Sequence, residues 1–284
     1  MNFQNVGVVG SGIMGGGIAE VVATAGSTVV LRSRTAETSE AVLEGIDKSL
    51  AKKVLKHQLD ADEAESIRAR ISATVEFADL AGCQLIIESV VEDVEVKRRV
   101  FAELDRVMGP ETVLATNTST LSVTELALAI SHPERVCGLH FFNPAAQMTL
   151  VEVVRPVCAS DATIDAVTEF ARTCAKEPVE VKDQAGFIVN ALLFPYLNNA
   201  VRLLAQGAAS AEGIDIAMKG GCGFPMGPFA LLDLVGLDTS LAILDVLYDN
   251  FGDENFAAVP LLREMVAQGQ LGRKSGQGFY DYRQ

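Results

Sequence analysis

Val6-Gly7-Val8-Val9-Gly10-Ser11-Gly12-Ile13-Met14-Gly15 decides the fold of this 284-residue chain. A short β-branched run ends in glycines at the spacing GxGxxG, and a helical pattern starts directly behind them. In that context Gly10 permits a tight turn, Gly12 lets the backbone approach a pyrophosphate, and Gly15 allows a helix to pack closely on a strand. Ile13 and Met14 open the helix, whose N-terminal N–H groups and dipole favour an anion. The glycines alone are a weak signal. With strand, helix and next strand in register they read as a dinucleotide site rather than a structural glycine turn.

Working outward, short β-branched runs alternate with helical patterns up to residue 181. Strands are expected at residues 6–10, 28–31, 85–88, 113–116, 136–140, 151–154 and 179–181, with helices such as residues 15–25 and 94–108 between them. This alternation predicts an α/β fold, a Rossmann-type doubly wound and mainly parallel sheet that takes its ligand at the carboxyl ends of the strands. A charged insertion at residues 38–70 reads as two helices broken near Leu59-Asp60-Ala61-Asp62. After Asp183-Gln184-Ala185-Gly186 the strand signals fade. Leu193, Leu197, Ala200, Val201 and Leu204 then fall on one helical face. The expected division is a dinucleotide-binding domain at residues 1–184 and a C-terminal all-α domain at residues 185–284. The apolar helical faces of the latter are a core, a subunit interface, or both.

The 37 acidic residues outnumber the 23 basic ones, for a net charge of −14. Such a surface repels polyanions, which argues against nucleic-acid or membrane-surface binding and leaves any phosphorylated ligand dependent on a local basic patch. Lys52 and Lys56, one helical turn apart in the insertion, are the candidate patch, with a solvated helix face as the plainer reading. The five cysteines form no CxxC pair, so neither a metal site nor a disulfide framework is expected and a reducing cytoplasm fits best. Met1-Asn2-Phe3-Gln4 has no basic leader pattern, and no apolar run approaches the roughly 20 residues of a membrane span.

Cofactor choice is read at the end of the second strand, where an acidic residue would bind the adenine ribose of NAD. Here the run is Arg32-Ser33-Arg34-Thr35, with no carboxylate before Glu37. Ser33 and Thr35 can donate to a 2′-phosphate and Arg34 can pair with it, which predicts a preference for NADP(H), with NAD(H) as the alternative.

Of the three histidines, His140 alone combines a strand-end position with a nearby carboxylate, Glu152, one short strand later. An imidazole held by a carboxylate has a fixed tautomer and suits proton exchange near neutral pH. Asn117-Thr118-Ser119-Thr120 follows another expected strand and falls at the same sheet edge. Together with His140-Phe141-Phe142-Asn143-Pro144, Gly186-Phe187-Ile188-Val189-Asn190, Pro225-Met226-Gly227-Pro228 and the closing Leu271-Gly272-Arg273-Lys274-Ser275-Gly276-Gln277-Gly278-Phe279-Tyr280, the chain resembles the short-chain-length branch of the 3-hydroxyacyl-CoA dehydrogenases nearly end to end.

That resemblance implies interconversion of acetoacetyl-CoA and (S)-3-hydroxybutyryl-CoA, with a place in fatty-acid and butyrate metabolism. His140 would be the acid/base at the C3 oxygen, Glu152 its support, and Ser119 and Asn190 hydrogen-bonding partners of the substrate. Glu92, Lys97, Asn117 and Asn143 would line the cofactor or substrate pocket, Lys52 and Lys56 would meet the CoA phosphates, and a homodimer would form through the helical domain. For Lys97 the plainer reading is a solvated helix residue. Ser33, where the commoner family pattern has aspartate, puts NAD use in doubt. The alternatives are a dehydrogenase of a free hydroxy or sugar acid on the same scaffold, and a non-catalytic NADP(H)-binding protein. A hydroxyacid dehydrogenase with a catalytic lysine fits the His-Glu pair poorly.

Overall fold

Val6, Val8 and Val9 are wholly buried because their strand runs through the middle of the sheet, where apolar cover is needed on both faces. A computed structural model describes residues 3–283, which divide after Gln184 into two compact units. Met1, Asn2 and Gln284, the outer ends of the two expected domains, lie outside the described residues.

In the first unit, strands β1 (Asn5–Val9), β2 (Thr28–Arg32), β3 (Ile71–Thr74), β4 (Leu85–Glu88), β5 (Val113–Thr116), β6 (Val136–Phe141), β7 (Leu150–Arg155) and β8 (Glu177–Lys182) form one sheet in the order β3-β2-β1-β4-β5-β6-β7-β8. All neighbours pair in parallel except β6 and β7, which are antiparallel. The neighbours of β1 are β2 on one side and β4 on the other, so the direction of winding reverses there. A crevice therefore opens at the carboxyl ends of β1 and β4. The helices are α1 (Ile13–Thr24), α2 (Ala36–Leu55), α3 (Ala61–Ala69), α4 (Val94–Val107), α5 (Val123–Ala127) and α6 (Asp161–Thr173). Val100, Phe101 and Leu104 form the buried stripe of α4, and Asp93 caps it by accepting from Val96 N–H at 2.9 Å.

The charged insertion is α2 and α3, with the break at residues 56–60 and His57 at φ 54 in the turn. The sequence reading passed over β3, whose Ile-Ser-Ala-Thr run is short and carries no apolar alternation. Its position follows from pairing with β2 through Val29↔Ile71 and Leu31↔Ala73.

The second unit is helical among its described residues: α7 (Val189–Ala205), α8 (Ala211–Cys222), α9 (Pro228–Val235), α10 (Leu237–Phe251) and α11 (Pro260–Ala267). Phe194, Leu197, Val201, Phe229, Leu244, Leu247 and Leu262 make its core. Two buried carboxylates fasten its closing segment. Asp233 accepts from the N–H groups of Phe279 and Tyr280, both at 2.9 Å, and Asp215 accepts from Phe229 N–H and the Tyr280 hydroxyl. No helix among the described residues is long and apolar enough to cross a membrane.

Candidate active site

The glycine turn leads from β1 into α1. Gly10 has φ +122, and a Cβ there would lie 2.3 Å from the Ser89 carbonyl oxygen; a Cβ on Gly15 would lie 1.8 Å from the Gly10 oxygen. Gly12 differs, since a Cβ on it would meet no atom within 4 Å. As the N-cap of α1 it offers no side chain to the helix N–H groups. Open space before uncapped N–H groups fits a pyrophosphate. Ile13 is 82% exposed beside it and Met14 is half-buried against the core.

At the end of β2, Ser33 N–H donates to the Thr74 oxygen, and the Ser33 hydroxyl is buried with no hydrogen-bond partner among the described residues. Thr35 caps α2, its hydroxyl accepting from Thr38 N–H. Arg34 is exposed and in no hydrogen bond or ion pair among the described residues. Of the three residues predicted to meet a 2′-phosphate, Arg34 is thus the one whose side chain is neither buried nor engaged as a cap.

Beyond β4 and β5 lies a network of charged groups. Lys97, expected on the plainer reading to be solvated, is wholly buried, and its ammonium donates to both Glu88 oxygens at 2.8 and 3.0 Å. It also lies 3.4 Å from Glu92 Oε2. The other Glu92 oxygen accepts from the Thr118 hydroxyl at 2.6 Å and from the N–H groups of Ser119 and Thr120 at 2.8 and 3.1 Å, with the Ser119 hydroxyl at 3.2 Å. Burial alone would push the Glu92 carboxyl up, but Lys97 and these hydrogen bonds outweigh it and hold the group below its usual 4.5. Asn117 joins three chain segments: its amide donates to the Ser89 hydroxyl and its carbonyl oxygen accepts from Phe141 N–H at 2.8 Å.

One strand further, the antiparallel register sets His140 directly opposite Glu152. His140 Nδ1 and Glu152 Oε2 are 2.7 Å apart, with side chains 7% and 1% exposed. With a carboxylate oxygen as the acceptor, it is the Nδ1–H tautomer that makes this hydrogen bond. The Phe142 ring lies against the imidazole, with centroids 4.5 Å apart. Asn143 is exposed and precedes a cis bond to Pro144.

The first unit therefore gathers Glu92, Lys97 and Ser119 into one network, ties Asn117 separately to Ser89 and Phe141, and pairs His140 with Glu152. Lys52 and Lys56 are exposed at the end of α2 and take no part in these hydrogen bonds. Asn190 belongs to the second unit, buried in the first turn of α7. Sequence reasoning missed Glu88, because the last residue of an apolar run gives no local sign that a lysine nine positions on returns to it. It also missed Lys176, whose buried ammonium donates to the Ala145 and Met148 oxygens and so fastens the loop between β6 and β7.

Residues 5–184 match the family model for the 3-hydroxyacyl-CoA dehydrogenase NAD-binding domain and residues 186–282 match that for its C-terminal domain. A 3-hydroxybutyryl-CoA dehydrogenase of Clostridioides difficile is 47% identical, covering 98% of this chain and 99% of the relative. Among solved structures, M. tuberculosis FadB2 superposes with a TM-score of 0.97 at 44% identity, covering 99% of this chain and 100% of that one. The (S)-3-hydroxybutyryl-CoA dehydrogenase PaaH1 of Ralstonia eutropha does so with 0.97 at 39%, covering 100% of both.

Proposed function

The chain belongs to the 3-hydroxyacyl-CoA dehydrogenase family, and we propose that it interconverts acetoacetyl-CoA and (S)-3-hydroxybutyryl-CoA in the cytoplasm with NADP(H) as the preferred cofactor. The observation that carries this reading is the buried His140–Glu152 pair at 2.7 Å, held by strand register at the same end of the sheet as the glycine turn. In the reducing direction the His140 imidazolium gives its Nε2 proton to the emerging C3 alkoxide. Glu152 fixes the ring and stabilises the imidazolium before transfer. Ser119 and Asn190 hydrogen-bond the thioester substrate so that the reacting carbon is correctly presented. The nicotinamide, when bound, supplies or accepts the hydride.

Gly10, Gly12, Ile13, Met14 and Gly15 take the pyrophosphate, and Glu92, Lys97, Asn117 and Asn143 line the cofactor site. The NADP(H) preference rests on Arg34, exposed beside the N-terminus of α2, and on the lack of a carboxylate at Ser33. Lys52 and Lys56 serve the CoA phosphates. Residues 1–184 act as the dinucleotide domain, with the insertion at 38–70, and residues 185–284 as the substrate and dimerisation domain. Exposed Leu192, Leu203 and Ile216 support the dimer.

The test is the initial rate of acetoacetyl-CoA reduction with NADPH and, separately, NADH, for the wild type and His140→Ala. Turnover favouring NADPH and reduced about 10²- to 10⁴-fold by the substitution is expected. Preference for NADH would overturn the cofactor choice alone, and no turnover with either would overturn the reaction.

A further inference from the structure

We propose that Glu88 is a positioning residue that acts on the reaction through Ser119, an inference that rests on the dehydrogenase reading above. Glu88 ends β4 and is wholly buried, where an unpaired carboxylate would be strongly unfavourable. Its oxygens accept from Val90 N–H at 2.6 Å, from Lys97 Nζ at 2.8 and 3.0 Å, and from the Thr116 hydroxyl at 2.7 Å. Each donor belongs to a segment that borders the site: Val90 lies beyond the strand that faces the glycine turn, Lys97 lies on α4, and Thr116 ends β5.

Two routes lead from Glu88 to Ser119. Along the first, the Thr116 hydroxyl accepts from Thr118 N–H at 3.2 Å, one residue before Ser119. Along the second, Lys97 reaches Glu92, which takes the Ser119 N–H and hydroxyl. The charges make the second route sensitive. Among the described residues, Lys97 is the one cation paired with either carboxylate, and it lies closer to Glu88 than to Glu92. Removing the Glu88 charge leaves the ammonium to Glu92. Lys97 then competes with Thr118, Ser119 and Thr120 for the Glu92 oxygens, and the Ser119 loop loses the acceptor that sets its position. A shift of about 1 Å in a positioning group can cost about 10²-fold in turnover. Contacts remote from C3 would be untouched, so the loss falls on kcat and leaves KM for the thioester nearly unchanged.

Glu88→Gln removes the charge at nearly constant volume. The experiment measures kcat and KM for acetoacetyl-CoA in the wild type, Glu88→Gln, Ser119→Ala and the double variant, with folding checked by circular dichroism and thermal melting. Glu88→Gln should lower kcat about tenfold or more with KM within about threefold, and should cost less than about twofold once the Ser119 hydroxyl is gone, because groups acting through one another do not add. If the two losses multiply, or if Glu88→Gln turns over at the wild-type rate, the proposal is overturned. Thr116→Val, which removes one hydroxyl from the same network, should show a smaller loss of the same kind. It decides the matter if Glu88→Gln does not fold, since a loss that persists in Ser119→Ala overturns the coupling. Failure of the wild type itself to reduce acetoacetyl-CoA with either nicotinamide cofactor overturns the dehydrogenase reading and this inference with it, an outcome distinct from normal turnover by Glu88→Gln.

Discussion

Glu92 in the first unit and Asp233 in the second use the same device with opposite electrostatics. Each carboxylate gathers two consecutive backbone N–H groups, those of Ser119 and Thr120 in one case and those of Phe279 and Tyr280 in the other. Glu92 has the Lys97 ammonium beside it and its side chain is 35% exposed. Asp233 is 1% exposed. Burial pushes its carboxyl above the ordinary range, with Asp215 adding to the rise and the hydrogen bonds from Phe279, Tyr280 and Tyr282 opposing it. A carboxylate kept charged at an open rim can meet a ligand, whereas one enclosed against its own desolvation cost serves the fold.

The largest effect should come from Asp233→Ala. Two part-buried N–H groups lose their acceptor, at about 1–3 kcal/mol each, and urea denaturation should register the sum. A loss no greater than that of Glu92→Ala would break the distinction between the two regions. Gly278→Ala probes the same enclosure from outside. A Cβ there would fall 2.0 Å from the Asp233 carboxylate oxygen, so thermal melting should show a destabilisation of about 1–3 kcal/mol. Glu92→Gln should cost under about 1 kcal/mol in urea, because water shares in solvating a rim carboxylate, yet it should raise KM for the nicotinamide cofactor measurably.

The smallest difference is in pH dependence. The Glu92 carboxyl titrates below its usual 4.5 in the folded protein, so its contribution is full above that value and is lost as pH falls through the folded one. Urea denaturation at stepped pH should find this acid loss flattened in Glu92→Gln. For Asp233 the folded value is raised above 3.8, the sign reverses, and Asp233→Asn should steepen the loss.

The glycine turn and the His140–Glu152 pair were legible because their signals are local: a fixed spacing behind a β-branched run, and a histidine and a carboxylate one strand apart. The parallel sheet followed from the same alternation. β3 was not legible, since an Ile-Ser-Ala-Thr run at the sheet edge buries only Ile71 fully. Lys97 lies among Glu95, Arg98 and Arg99, so its neighbours in sequence resemble a solvated face, and only the strand-end carboxylate that faces it explains its burial. The clamp on the closing segment joins Asp215 to a residue 65 positions away, and no periodicity encodes a pairing at that separation. Ser33 shows a different limit: its identity was readable, but the burial of its hydroxyl depends on pairing with β3.

The antiparallel join between β6 and β7 makes the His140–Glu152 pair all-or-none. Side chains alternate faces along a strand, so sliding one strand by a single residue would replace Glu152 opposite His140 with Val151 or Val153 and turn the carboxylate to the far side. Intermediate positions do not exist on a ladder of paired peptides. Drift in the length of residues 142–149 is therefore taken up in the loop, and variants there should divide into those with an intact imidazole–carboxylate couple and those with none.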